Sequence, residues 1–226
     1  MFGALITAPY VLLPHLFFPL SPFSMHPITA ESFAIIDREI GPHNWPPEEY
    51  AIIRRAIHST ADFELLDLFE FSEDAVAAGI AAIQQQQPVI VDVRMVQMGI
   101  TGVLKGIGHT SIACALDYVP EDFAPSGAAT TRTAAGMLAL TQHYSTGIFV
   151  IGNAPTALLA LVEQIRQGLV KPSLVVGAPV GFVAVEAAKQ VLAQVDVPQI
   201  QVRGRKGGSP VAAAIVNALA YLSKPD

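Results

Sequence analysis

The sequence predicts an α/β fold, a three-layer α/β/α arrangement with a mainly parallel sheet, preceded by N-terminal helices. Three observations carry this. Short continuous apolar runs recur at residues 89–93, 148–151, 174–176 and 200–202, the pattern of strands covered on both faces. Each of the last three is followed by glycine and a helix that opens on proline: Gly152-Asn153-Ala154-Pro155, Gly177-Ala178-Pro179 and Gly207-Gly208-Ser209-Pro210. Before the first run the apolar spacing is helical.

Taken in order, Thr29 is an N-cap for a helix over residues 30–40, with Phe33, Ile36 and Ile40 on one face and Gly41 as its stop. Pro46 and Pro47 open a second helix, with Glu48 and Glu49 in its first turn, running through Ile52, Ile53, Ala56 and Ile57 to about His58. A third starts at Ser72-Glu73 and ends in the glutamines of residues 84–87, a solvated helix end. The βα units follow. Glycine permits the sharp turn at a strand end, and proline suits a first helical position, where no amide hydrogen is needed. Right-handed crossovers place helices on both faces and every such loop at the carboxyl edge, where open α/β sheets bind ligands.

The chain has 226 residues, 52% of them hydrophobic and 14% charged, which predicts a single domain with a core that needs no disulfide or metal. A formal charge of -6 excludes a general nucleic-acid binder. The single Cys114 forms no internal disulfide and has no zinc-spaced partner, and nothing marks an oxidising compartment, so the location expected is cytoplasmic. Residues 1–25 stand apart, with no Asp, Glu, Lys or Arg and with prolines at Pro9, Pro14, Pro19 and Pro22. They lack the basic start of a secretory signal and are too broken for a spanning helix. They read as an irregular leader or a misassigned start, with the domain over residues 26–226 and no membrane partner.

Phosphate motifs fail in the loops. Gly106-Ile107-Gly108 lacks the third glycine of a dinucleotide fingerprint, and Gly204-Arg205-Lys206-Gly207-Gly208-Ser209 misses the P-loop spacing, although its amides and two cations suit an anion. The six histidines contain no His-x-x-x-His or Glu-x-x-His pair, so no metal site and no cofactor are expected. Chemistry concentrates in Arg54-Arg55-Ala56-Ile57-His58-Ser59-Thr60-Ala61-Asp62-Phe63. Arg55 and His58 are three apart and share a helix face, and imidazole exchanges a proton near neutral pH. A lone histidine is more often structural, so the residue type alone decides nothing.

Read in order and spacing, RRAIHSTADF, VDVRMVQMGI, TTRTAAGM, VIGNAPTALL, VVGAPVGFV and GRKGGSPVAAAIVNAL resemble the precorrin-8X and cobalt-precorrin-8 methylmutases, over residues 28–222. One departure is visible: where that family usually has Glu-Ser-Lys, this chain has Ala187-Ala188-Lys189, with Glu186 one place early. The resemblance implies an isomerase that moves a methyl group between adjacent ring C carbons of a tetrapyrrole, with His58 as general acid/base and Ser32 and Arg55 as substrate-binding residues. It also implies a homodimer.

A substrate with acetate and propionate arms needs guanidinium groups, because each can hold a carboxylate through two parallel hydrogen bonds. Arg55 is the first candidate and Arg132, at a helix start, the second; Arg205 and Lys206 lie in a loop able to serve the same end. Asn153 is assigned to its turn, and Asp62 and Asp92 are both candidates to orient His58. Two alternatives stay open: a non-catalytic tetrapyrrole-binding protein, which would not need His58, and an unrelated small-anion α/β enzyme, which would need the Gly204–Ser209 loop but not Ser32.

Overall fold

The protein, described here by a computed structural model for residues 26–126 and 131–224, is organised by a six-stranded sheet. Its strands are β1 (Phe69–Phe71), β2 (Val89–Val91), β3 (Ile112–Cys114), β4 (Ile148–Ile151), β5 (Leu174–Gly177) and β6 (Gln199–Val202), in spatial order β1-β6-β5-β4-β2-β3. All neighbours are parallel except β1, which pairs antiparallel to β6. The four anticipated runs are strands. The two others were missed: β1, an antiparallel edge strand of alternating Phe-Glu-Phe, and β3, too short to stand out from its polar approach.

Register explains why the sheet needs two helix layers. Val91, Val150, Val176 and Ile200 lie abreast and enter one apolar cluster, whereas Ile90, Phe149 and Val175, one residue back on each strand, enter another. Alternation across a strand sends successive side chains to opposite faces. Helices α5 (Arg132–His143) and α6 (Pro155–Arg166) pack together on the second face, and α7 (Val185–Leu192) packs on α6. On the first face, α8 (Ser209–Leu222) is the hub. It packs against α2 (Pro47–Thr60), α3 (Ala75–Gln84) and α4 (Arg94–Gly106), and α1 (Pro27–Ile40) adds to α2. Ten of the α8 residues are buried, so this helix is a wall with no solvent face to speak of.

Boundaries differ from expectation for local reasons. Pro27 takes the first helical position of α1, so the cap is His26, whose ring nitrogen accepts the Ile28 N–H at 3.3 Å, and not Thr29. Ser72 does not start α3. Its hydroxyl accepts the Gln199 N–H at 2.8 Å and prolongs the β1–β6 pairing, and α3 begins at Ala75 after Asp74 in the left-handed region. The leader, residues 1–25, lies outside the described residues. Among the described residues no helix is long and apolar enough to cross a membrane, and no group of His, Cys, Asp or Glu is placed to hold a metal ion.

Candidate active site

Helix α2 carries the candidate residues Arg55 and His58, and its two faces differ. Ile52, Ile53, Ala56 and Ile57 are buried and hold the helix along α8. The chain then stops within one turn: Ala61 adopts φ 55°, its N–H bonds to the Ile57 carbonyl, and the Ser59 and Thr60 hydroxyls donate to the Ala56 carbonyl at 2.8 and 2.9 Å. His58 therefore projects, exposed, from a well-tethered helix end.

Phe33 of α1 organises the other face. Its buried ring meets the His58 imidazole edge to face, with centroids 5.3 Å apart and planes at 85°. The Arg54 and Arg55 guanidinium carbons lie 4.5 and 5.6 Å from the same ring. Arg54 is committed elsewhere, to Asp37 at 2.7 Å. The same carboxylate accepts the Tyr50 hydroxyl at 2.7 Å, and burial together with that bond pushes the Tyr50 hydroxyl up to about 12. Arg55 instead lies 4.3 Å over the Tyr221 ring of α8. Among the described residues it forms no ion pair, while Arg54, Arg94, Arg203, Arg205 and Lys206 all do. Burial lowers its affinity for the proton, but a guanidinium stays charged, so a half-buried cation lies between Phe33 and Tyr221 with no carboxylate of its own among the described residues.

Ser32, His58 and Glu39 line one open groove between α1 and the end of α2, of about 250 Å3, with Ile35, Ile36, Ile57, Ala61 and Phe63 as its apolar walls. Ser32 donates its hydroxyl to the Ile28 carbonyl at 2.8 Å, so its oxygen keeps acceptor capacity toward the groove. The structure thus gathers Ser32, Arg55 and His58 around Phe33, a junction that sequence spacing across two helices did not reveal. Arg132 is not with them. It is the exposed first residue of α5 on the opposite face, where Thr131 caps the helix and touches Thr156 at the start of α6 at 2.7 Å.

Neither candidate carboxylate serves His58. Asp92 is fully buried just beyond β2, and it accepts the N–H groups of Gly152, Asn153 and Ala154 at 3.1, 2.8 and 2.7 Å. Burial pushes its carboxyl up, and those backbone bonds pull it back. The order β4-β2-β3 makes β2/β4 the point where the chain reverses direction across the sheet, the usual ligand crevice of open α/β sheets. Here the Asp92 carboxylate is bonded to the turn after β4. Asp62 bonds Lys206 at 2.7 Å, and Glu64 joins from the same distance; these bonds raise the Lys206 ammonium above its usual range, Asp62 first.

That pairing brings the β6–α8 turn, residues 204–208, against the segment after His58, and the Ser59 hydroxyl reaches the Pro210 carbonyl at 3.5 Å. At Gly207, φ is +142° and a Cβ would fall 2.4 Å from the Ala178 carbonyl oxygen, so only glycine lets the turn close on the end of β5. The turn is held from below by Lys189, which sequence reading kept only as part of a motif.

With this geometry in place, the comparisons with known proteins are specific. The precorrin-8X methylmutase family model matches residues 27–222. The chain belongs to the precorrin-8X methylmutase family. It is 47% identical over 212 residues to the cobalt-precorrin-8 methylmutase of Synechocystis sp., covering 88% of this chain and 96% of that protein. The precorrin-8X methylmutase of Pseudomonas aeruginosa is 37% identical over 195 residues, covering 85% and 93%. The crystal structure of the precorrin-8X methylmutase from Thermus thermophilus superposes with a TM-score of 0.78 at 46% identity, covering 87% of this chain and 95% of that one. Methylmutases are isomerases, and relatives named cobalt-precorrin-8 methylmutase and precorrin-8X methylmutase both occur.

Proposed function

We propose that this protein moves a methyl group between adjacent ring C carbons of precorrin-8X or of cobalt-precorrin-8, giving hydrogenobyrinate or cobyrinate. The observation that carries the reading is the junction at Phe33, where an exposed imidazole and a hydroxyl oxygen border one groove and a guanidinium with no ion-pair partner among the described residues lies against the same ring. The family supplies the reaction class; the junction supplies the chemistry it requires.

In this mechanism Arg55 takes a carboxylate arm of the ring, Ser32 bonds to an edge of the macrocycle, and Arg132 holds a second arm from the α5 side. The His58 imidazolium gives a proton to a ring nitrogen, which withdraws electrons from the conjugated system. The methyl then migrates to the neighbouring carbon, and imidazole takes the proton back, so atoms and charge balance and no redox partner is needed. General acid catalysis of this kind contributes about two to four orders of magnitude, and holding the ring in a reactive geometry supplies the rest.

The groove of about 250 Å3 admits an edge of a tetrapyrrole and not its whole face, since ligand sites usually enclose most of their ligand. We therefore propose a homodimer with sites at or near its interface. Met95 and Met98 on α4, and Phe182 and Val183 before α7, are exposed apolar residues a second copy would cover. Incubation with the metal-free and the cobalt-containing substrate in parallel, followed by absorption spectroscopy, tests the reading, because a moved methyl changes the conjugation. No spectral change with either substrate refutes it, and the faster arm identifies the natural one.

A further inference from the structure

Lys189 lies on α7, on the opposite side of the β6–α8 turn from His58, and is 4% exposed. Its ammonium donates to the carbonyls of Gly204 and Lys206, both at 2.7 Å. Among the described residues no carboxylate pairs with it. The acids nearest it are engaged, Glu186 with Arg205 and Glu70 on β1 with Arg203, each at 3.6 Å. A buried ammonium bonded only to two carbonyls is a costly arrangement, since a hydrophobic side chain of similar volume often replaces a buried charge without loss of stability. Its target is a turn with little stiffness of its own: Gly204, Gly207 and Gly208 all have positive φ. The two carbonyls bracket Arg205 and include that of Lys206, whose side chain reaches Asp62 and Glu64 immediately after the His58 helix.

We propose that Lys189 is a positioning residue: its buried ammonium locks the turn of residues 204–208 so that Lys206 braces the His58 segment and the turn is preorganised for a polycarboxylate ring substrate. This rests on the methylmutase reading and adds to it a residue that touches neither substrate nor His58. Burial pushes the Lys189 ammonium down to about 8, with Glu186 and Glu70 opposing, so the lock weakens in an accessible range. The charged groups that face it are Glu186 from its own helix, Lys206 from the turn, Glu70 from β1, and Arg203 and Arg205, each held in an ion pair.

The test is Lys189→Met in the full chain, with product binding by absorption titration, steady-state kinetics with the tetrapyrrole substrate, and amide hydrogen exchange at residues 205–208. The expected result is a KM or product Kd raised by roughly tenfold to a hundredfold, the size expected for losing charge-assisted bonds, with kcat changed far less and exchange in the turn accelerated. Wild-type affinity falls as pH rises through about 8, and the variant lacks that step. Should the variant not fold, the wild-type profile decides alone, and an affinity unchanged from pH 7 to about 9.5 overturns the proposal. Affinity within twofold of wild type with the same pH slope overturns it too, leaving the methylmutase reading intact. A wild-type chain that neither binds nor converts the ring overturns both.

Discussion

Replacing Asp92 measures how much of the sheet edge depends on one carboxylate. Its Oδ2 accepts from Asn153 and Ala154 at 2.8 and 2.7 Å, and its Oδ1 from Gly152 at 3.1 Å. Asp92→Ala removes all three bonds and leaves N–H groups unpaired in the interior, each costing about 1–3 kcal/mol, for a loss of roughly 4–6 kcal/mol. Asp92→Asn keeps its oxygen at the Oδ2 position and both short bonds. It sets its NH2 against the Gly152 N–H but relieves the desolvated charge, so the net loss is under about 2 kcal/mol. At about 2–4 °C per kcal/mol for a chain of this size, calorimetry should show the alanine variant melting far below wild type and the asparagine variant only slightly below. The sign with pH follows from the raised carboxyl. Its contribution is fully present below the unfolded value near 4 and is lost as pH rises through the folded one, so wild type gains on Asp92→Asn as pH falls. An asparagine variant as unstable as alanine would show that charge, and not the acceptor count, holds the turn; an alanine variant as stable as wild type would remove the clamp altogether.

His58→Ala should lower single-turnover rates by about two to four orders of magnitude while product binding and melting temperature stay close to wild type, because the ring is exposed at a helix end; near-normal turnover would remove the acid role. Arg55→Lys keeps the charge but not the planar stacking over Tyr221, so KM should rise about tenfold or more with kcat nearly unchanged, and an unaltered KM would take Arg55 out of binding. Phe33→Ala should cost about 3–5 kcal/mol in denaturant unfolding and reduce turnover as well, since one ring supports His58, Arg54 and Arg55. For Lys189 the folded-state value, about 8, lies below the unfolded one. Its stability contribution is therefore present above about 10.4 and lost as pH falls through the folded value, so wild type should gain on Lys189→Met between these limits, opposite in sign to the change in binding.

The parts of this architecture legible in the sequence are those written in local chemistry. The runs at β2, β4, β5 and β6 show because both faces are buried, which makes them continuously apolar. Strand β1 carries Glu70 between two phenylalanines and borders the sheet on one side only, so three residues of alternation had no length in which to declare themselves. The site divides the same way. His58 and Arg55 share a face by spacing within one helix, whereas Phe33 and Ser32 join them only through the crossing of α1 on α2, a long-range fact. Asp62 and Asp92 were plausible partners for His58 by residue type, and competition in space decided otherwise: Lys206 takes the first, and three backbone N–H groups take the second.

Two buried charges of opposite sign end up with parallel tasks at one edge of the sheet. Asp92 accepts from the turn after β4, and Lys189 donates to the turn after β6. Each is a costly residue to bury, and each satisfies backbone groups that a glycine-bearing loop would otherwise leave loose. The groups proposed to meet the substrate, His58, Ser32, Arg55 and Arg132, are exposed or half-buried by contrast. A site of this kind gains its precision from beneath: mobile cations and an imidazole can act on a flat, many-armed ring only if the loops around them are already fixed. That division of labour is why changes at Asp92 and Lys189 should separate, with the first read chiefly as lost stability and the second chiefly as lost affinity.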